Sequence, residues 1–109
     1  MKFIDVSPSL VLRQNIDVAI SRVINTGDFI LGDEVEKFEK KLSSFTGANH
    51  SVSCANGTDA LTLVLMAEKI GAGDAVICPS FTFIATAEVV AQIGATPIFA
   101  DVNKDTFTL

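Results

Sequence analysis

The sequence has few cysteines and no stripe of basic residues. Eight lysines and arginines stand against 13 acidic residues, and the acidic residues that give the net charge of −5 are scattered along the chain. A nucleic-acid-binding surface needs clustered basic side chains, so nucleic acid is not an expected partner. The two cysteines, Cys54 and Cys78, belong to no CxxC pair, so neither a metal site nor a disulfide framework is indicated. We expect two reduced, buried thiols.

Long apolar runs are also missing. No stretch approaches the roughly 20 apolar residues that a membrane-spanning helix needs, and the N-terminus lacks the plan of a signal peptide. We therefore expect a cytoplasmic chain without a membrane partner. Hydrophobic residues make up 49% of the 109 residues, which predicts a globular chain rather than a disordered one. Because the chain is shorter than an average domain, we expect it to belong to a larger one.

Apolar spacing and chain breakers predict two helices followed by alternating strands and helices. The first helix covers residues 10–26 and ends at Gly27, and the second has Asp33 as its cap and ends at Gly47. The predicted elements after Gly47 are a strand at 51–54, a helix from the following turn to 70, a strand at 75–78, a helix at 83–93 and a strand at 97–100. This order predicts an α/β fold with a parallel sheet and right-handed crossovers. We place a boundary between a helical segment, 1–47, and a sheet-forming part, 48–109.

The turn after the first predicted strand is a candidate phosphate site. Gly57 lets a ligand approach the backbone closely, and the start of the next helix presents unpaired N–H groups and a favourable dipole. The alternative is that Asn56 only caps the helix and Gly57 only permits the turn. The turn has one glycine where a dinucleotide fold has GxGxxG, and no Gly-Lys pair of a P-loop occurs in the chain. Nicotinamide and ATP are therefore disfavoured.

A second loop, residues 79–87, and Asp101 follow the next two predicted strands. Since the carboxyl ends of parallel strands open on one edge, we expect both to converge with the Asn56 turn. Phe81 and Phe83 lie in this loop, where one ring could stack on a planar cofactor; the alternative is that both rings belong to the core. His50, the only histidine, has no serine or cysteine partner at a recognisable spacing, so we assign it no role.

Five segments in this order resemble the DegT/DnrJ/EryC1/StrS family of sugar aminotransferases. They are residues 27–32 (GDFILG), 54–61 (CANGTDAL), 71–77 (GAGDAVI), 79–87 (PSFTFIATA) and 94–97 (GATP) with Asp101 and Val102. The resemblance covers nearly the whole chain. It implies a three-layer, mostly parallel sheet, as in the N-terminal part of the large domain of a pyridoxal-phosphate (PLP) aminotransferase of fold type I. It also implies a homodimer, of which this chain is about the first third of each subunit.

The resemblance further implies roles for individual residues. The backbone N–H groups of Thr58 and Asp59, next to Gly57, would bind the PLP phosphate, and Phe83 would stack on the pyridine ring. The Schiff-base lysine and the aspartate that pairs with the pyridine nitrogen are expected downstream of Leu109. No catalytic role is therefore assigned to the six lysines present, and the chain alone is expected to be inactive. These lysines are Lys2, Lys37, Lys40, Lys41, Lys69 and Lys104.

The implied reaction transfers an amino group from an amino acid, with glutamate as the expected donor, to a nucleotide-linked keto-sugar. The segments at 54–61 and 80–88 look most like those of members that aminate C3 of a UDP-linked 3-keto uronic acid for bacterial surface polysaccharide, such as lipopolysaccharide. Two alternatives stay open. One is a PLP-dependent sugar dehydratase of the same family, in which a histidine replaces the lysine. The other is a non-catalytic α/β module that binds a phosphorylated ligand.

Overall fold

The computed structural model describes residues 3–109. The chain forms two compact units: the first ends at Ser53, and the second is Cys54–Leu109. The elements in chain order are α1 Leu10–Thr26, α2 Asp33–Thr46, α3 Gly57–Ala67, β1 Ala75–Pro79, α4 Ala85–Gln92 and β2 Thr96–Ala100. Within the described residues, no helix has the length and apolar character needed to cross a membrane. The boundary placed after residue 47 stays a prediction.

The two helices of the first unit have clear end signals. The Ser9 side chain accepts a hydrogen bond from the first turn of α1 at 3.3 Å. Gly27 and Gly47 end α1 and α2 with φ of 75° and 76°, a left-handed conformation that glycine adopts without steric cost. Asp33 is the first residue of α2 rather than its cap, because Gly32 takes the cap position and no side chain bonds there. Asp33 instead lies in the first turn of α2, where the helix dipole favours its negative charge.

The prediction of a strand at residues 51–54 is wrong, because the structure has no strand there. The predicted alternation exists, since Ser51 and Ser53 are half-buried and the residues on either side of Ser53 are exposed. However, the serines bond to α2 instead of facing a sheet. The Ser43 hydroxyl donates to the Ser51 hydroxyl at 2.8 Å, and the N–H and hydroxyl of Ser53 donate to Oε1 of Glu39 at 2.7 and 2.8 Å. A helix therefore supplies the partners that a neighbouring strand was expected to supply.

These hydrogen bonds also affect the ionisation of Glu39. The N–H of Ser53, and then its hydroxyl, lower the pKa of this carboxyl group because they stabilise its charged form. A pKa lowered by folding contributes stability above the ordinary pKa of glutamate. That contribution is lost as the pH falls through the lowered value.

The second unit contains a two-stranded parallel sheet. β1 and β2 pair in register from Ala75 opposite Thr96 to Pro79 opposite Ala100, and α4 connects them. This β-α-β arrangement confirms the α/β class predicted from the sequence. The two helices of this unit are shorter than predicted: α3 ends at Ala67, and α4 covers Ala85–Gln92.

The core of the second unit lies where α4 packs on the sheet. Cys78, Val89 and Val90 are each 1% exposed. Partly buried apolar residues surround this group, namely Leu65, Ile70, Val76 and Ile93. Both cysteines are free, and Cys78 is buried as predicted, whereas Cys54 is exposed. The prediction of burial was wrong for Cys54 because this residue falls on the exposed phase of the alternation that buries Ser51 and Ser53.

We expect Val90→Ala to destabilise the protein by roughly 2 kcal/mol, because it removes buried methyl groups and leaves a cavity. Val64→Ala is the matched control, since Val64 is also helical but 61% exposed. Both changes have the same effect on helix propensity, so their difference reports burial alone. Urea unfolding measures the difference in free energy. Equal losses for the two variants would contradict the placement of the core.

Candidate functional site

The start of α3 is organised by a reciprocal pair of side chains. Asn56 is the N-cap residue, and its Oδ1 accepts a hydrogen bond from the N–H of Asp59 at 2.9 Å. Its Nδ2 donates to Oδ2 of Asp59 at 3.2 Å. The capping role considered for Asn56 is therefore real. The same contacts engage the Asp59 N–H and hold the Asp59 carboxylate against the amide of Asn56.

Two other N–H groups at this helix start have no partner. Within residues 3–109, the N–H groups of Gly57 and Thr58 donate no hydrogen bond. The first N–H groups of a helix have no intrahelical acceptor, and the helix dipole makes this end attractive to anions. The turn therefore presents two free donors, while the N–H of Asp59 is already bonded to the cap.

Gly57 is not required by the backbone conformation at this turn. It does not have a positive φ, unlike Gly73 and Gly94, where φ is 98° and 84°. A Cβ atom added at Gly57 would also meet no protein atom within 4 Å. The alternative that Gly57 only permits the turn is thus not supported by the geometry. Because Gly57 has no side chain, the space outside the free N–H groups of Gly57 and Thr58 stays open.

The carboxyl ends of β1 and β2 meet as predicted. The N–H of Ser80 donates to the carbonyl oxygen of Ala100 at 2.8 Å, and the Ser80 hydroxyl lies 3.4 Å from Oδ1 of Asp101. That same oxygen accepts a hydrogen bond from the N–H of Val102 at 2.9 Å. Two of the three predicted segments are therefore brought together. In the part of the chain that the structure describes, no hydrogen bond joins them to the Asn56 turn.

The two phenylalanines of the second loop differ in their surroundings. The ring of Phe81 packs against Phe107, with 5.9 Å between centroids and an interplanar angle of 42°. Both rings are exposed, Phe81 to 70% and Phe83 to 76%, but the Phe83 ring contacts no other aromatic ring among residues 3–109. Neither ring belongs to the core. Phe107 was missed from the sequence because it stands among polar residues, without the spacing of a strand or helix.

Thr58 and Asp59 line an open cleft together with residues of α4. The other lining residues are Glu88, Ala91 and Gln92. Thr58 is half-buried there, and Asp59 is exposed. No sequence signal placed Glu88 and Gln92 near the turn, because both are ordinary polar positions of a helix. The cleft thus places Thr58 and Asp59 of α3 beside Glu88 and Gln92 of α4.

Comparisons with known proteins agree with the resemblance in the sequence. The model of the DegT/DnrJ/EryC1/StrS aminotransferase family matches residues 11–109. A UDP-2-acetamido-2-deoxy-3-oxo-D-glucuronate aminotransferase of Pseudomonas aeruginosa is 49% identical over 98 residues, which are 90% of this chain and 27% of that protein.

Solved structures give the same result. A DegT/DnrJ/EryC1/StrS aminotransferase from Brucella abortus superposes with a TM-score of 0.90 at 52% identity, covering 98% of this chain and 29% of that one. NtdA from Bacillus subtilis, solved with bound cofactor PMP, superposes with a TM-score of 0.81 at 31% identity, covering 94% of this chain and 25% of that one. The chain thus spans about a quarter of the length of the proteins that it matches. By sequence and by structure, this chain belongs to the DegT/DnrJ/EryC1/StrS aminotransferase family.

Proposed function

We propose that this chain forms the start of the PLP-binding large domain of a nucleotide-sugar aminotransferase and that α3 binds the phosphate of PLP. Gly57 carries the proposal. Neither its φ nor a neighbouring protein atom requires a glycine here, and its own N–H and that of Thr58 are free, so the position suits the close approach of an anion. Within the proposal, residues 48–109 begin the large domain, and β1 and β2 belong to a three-layer, mostly parallel sheet.

The residues at this turn fit a phosphate group. The N–H groups of Gly57 and Thr58 are the available donors, and the N–H of Asp59 joins them if the phosphate takes the place of the Asn56 oxygen. The amide of Asn56 donates a hydrogen bond to the carboxylate of Asp59, so this carboxylate does not bond to the free N–H groups. Both phenylalanines are exposed, and Phe83, which has no aromatic partner among residues 3–109, is the ring that we propose stacks on the pyridine, whereas Phe81 contacts Phe107. When bound, PLP supplies the electron sink that amino transfer needs.

The substrate class follows from the family. We propose that the amino group passes from an amino acid, with glutamate as the donor, to a nucleotide-linked keto-sugar, and that the enzyme acts as a homodimer. The relative from Pseudomonas aeruginosa, named for a UDP-linked 3-oxo-glucuronate, supports C3 of a UDP-3-keto uronic acid as the acceptor. Such an acceptor would place the enzyme in the synthesis of a surface polysaccharide. Bound PMP in the structure of NtdA supports the choice of cofactor.

Gly57→Val tests the phosphate site. The branched side chain would fill the space that a phosphate needs, and we expect PLP affinity in the full-length protein to fall about tenfold or more, equivalent to about 1.4 kcal/mol. A Cβ here meets no protein atom, so Gly57→Ala should fold normally and cause a smaller loss of affinity. Titration followed by PLP absorbance gives both affinities. An unchanged affinity in Gly57→Val would exclude this turn as the phosphate site.

Phe83→Ala and Phe81→Ala form a matched pair for the stacking role. Removing Phe83 should loosen PLP by about 1 kcal/mol with little change in stability, because this ring is exposed and has no aromatic partner in residues 3–109. Removing Phe81 should act mainly on stability, through the lost contact with Phe107. Affinity and thermal unfolding are measured for both variants. Equal losses of affinity that follow equal losses of stability would remove the distinction between the rings.

The lysines of the 109-residue chain are expected to be catalytically inactive. Lys37 and Lys40 pair with Glu34 and Glu36, and no lysine lines the cleft that contains Thr58. Lys2 lies outside the described residues. We therefore expect the 109-residue chain, mixed with PLP and reduced with borohydride, to give no stoichiometric lysine adduct and no turnover of glutamate. Peptide mapping is the measurement. A single full adduct accompanied by turnover would place the catalytic lysine within this chain.

A further inference from the structure

We propose that Asn56 is an exchangeable cap of α3, an inference that rests on the proposed function. In the structure its Oδ1 accepts a hydrogen bond from the N–H of Asp59 at 2.9 Å. When α3 binds the phosphate, this oxygen leaves and a phosphate oxygen takes its place. The side chain of Asn56 therefore competes with the cofactor for one donor, and its release is part of the cost of binding.

The exchange follows from where the donors lie. The N–H groups of Gly57, Thr58 and Asp59 are the first three of α3, and they open on the same helix end. Within residues 3–109, those of Gly57 and Thr58 have no acceptor, whereas that of Asp59 is bonded to the cap. A phosphate has several acceptor oxygens and suits such a row of donors. It can take the third donor only after the oxygen of Asn56 has left.

The energetics of the exchange favour the phosphate. The present hydrogen bond joins the N–H of Asp59 to the neutral amide oxygen of Asn56, whereas a bond to a phosphate oxygen is charge-assisted and stronger. The helix dipole also favours an anion over a neutral group at this end. Because Asn56 is exposed, its amide can bond to water after it leaves the helix. The cap is therefore replaced at a small cost.

The backbone of the turn can stay in place during the exchange. The carbonyl oxygen of Asn56 accepts hydrogen bonds from the N–H of Ala60 at 3.1 Å and from the thiol of Cys54 at 3.3 Å. Both bonds are made by the main chain of Asn56 and do not depend on its side chain. Rotation of the side chain therefore frees the N–H of Asp59, and breaks the 3.2 Å bond to the Asp59 carboxylate, while the turn is held.

The test compares Asn56→Ala with Asn56→Ser in the full-length protein. Both variants lose the amide that donates to Asp59, but serine keeps a cap oxygen and caps a helix about as well as asparagine. A cap that is present only before binding stabilises the free protein and not the complex. Without PLP, we therefore expect Asn56→Ala to be less stable than Asn56→Ser in urea. It should bind PLP about fivefold more tightly, equivalent to about 1 kcal/mol.

A control ligand and a second readout make the test specific. Pyridoxal lacks the phosphate and cannot replace the cap, so the two variants should bind it equally. Hydrogen exchange at the Asp59 amide of Asn56→Ala should be fast in the free protein and slow with saturating PLP, because only the phosphate then protects it. Should this variant fail to fold, Asn56→Gly removes the same oxygen at a smaller cost to the helix and should show the same protection by PLP.

Each outcome decides the inference. Equal PLP affinity in Asn56→Ala and Asn56→Ser would overturn it and leave the proposed function standing, because the phosphate would then bind without displacing the cap. Weaker binding in Asn56→Ala would also overturn it, since the cap would then support the complex. Equal tightening of PLP and pyridoxal would do the same, because the effect would not depend on the phosphate. A wild-type protein that does not bind PLP would overturn the proposed function, and this inference with it.

Discussion

A helix cannot satisfy its own first N–H groups, and the candidate site depends on this constraint. At the start of α3, the cap Asn56 bonds to the N–H of Asp59 and leaves those of Gly57 and Thr58 free. The side chain of Asn56 also donates to the Asp59 carboxylate, which therefore bonds to the cap and not to the free N–H groups. One capping residue therefore stabilises the helix and keeps part of its end available to an anion.

The regular parts of the fold were predictable because they depend on local chemistry. Helix α1 ends at a glycine with positive φ, as its sequence indicates, and β1 and β2 are short apolar runs between breakers. The strand expected at 51–54 failed because alternation shows only that two faces differ. The sequence could not show that Glu39 and Ser43 of a helix, rather than a neighbouring strand, would bond to the serines.

The candidate site was predictable to the extent that it lies in one stretch of chain. The Asn56 turn combines a cap, a glycine and a helix start, so its chemistry could be read directly from the sequence. The difference between Phe81 and Phe83 could not be read in this way. It depends on Phe107, which lies 26 residues beyond Phe81 and packs against its ring in the folded chain. The exposure of Cys54 was missed as well, because alternation alone does not tell which of two neighbouring residues faces inward.

The chemistry of the proposed site also indicates what this chain contributes to specificity. In the proposed site, free N–H groups and an exposed aromatic ring would recognise a phosphate and a flat heterocycle, and both would belong to the cofactor whatever sugar is aminated. Discriminating between keto-sugars needs donors and acceptors placed against the sugar hydroxyls, because unpaired polar groups make the wrong substrate costly. The cleft beside Thr58 contains two such polar side chains, Glu88 and Gln92, on α4. Under the proposed function, residues at the start of α3 would therefore serve every keto-sugar alike, and Glu88 and Gln92 are the polar side chains that this cleft would offer to a sugar.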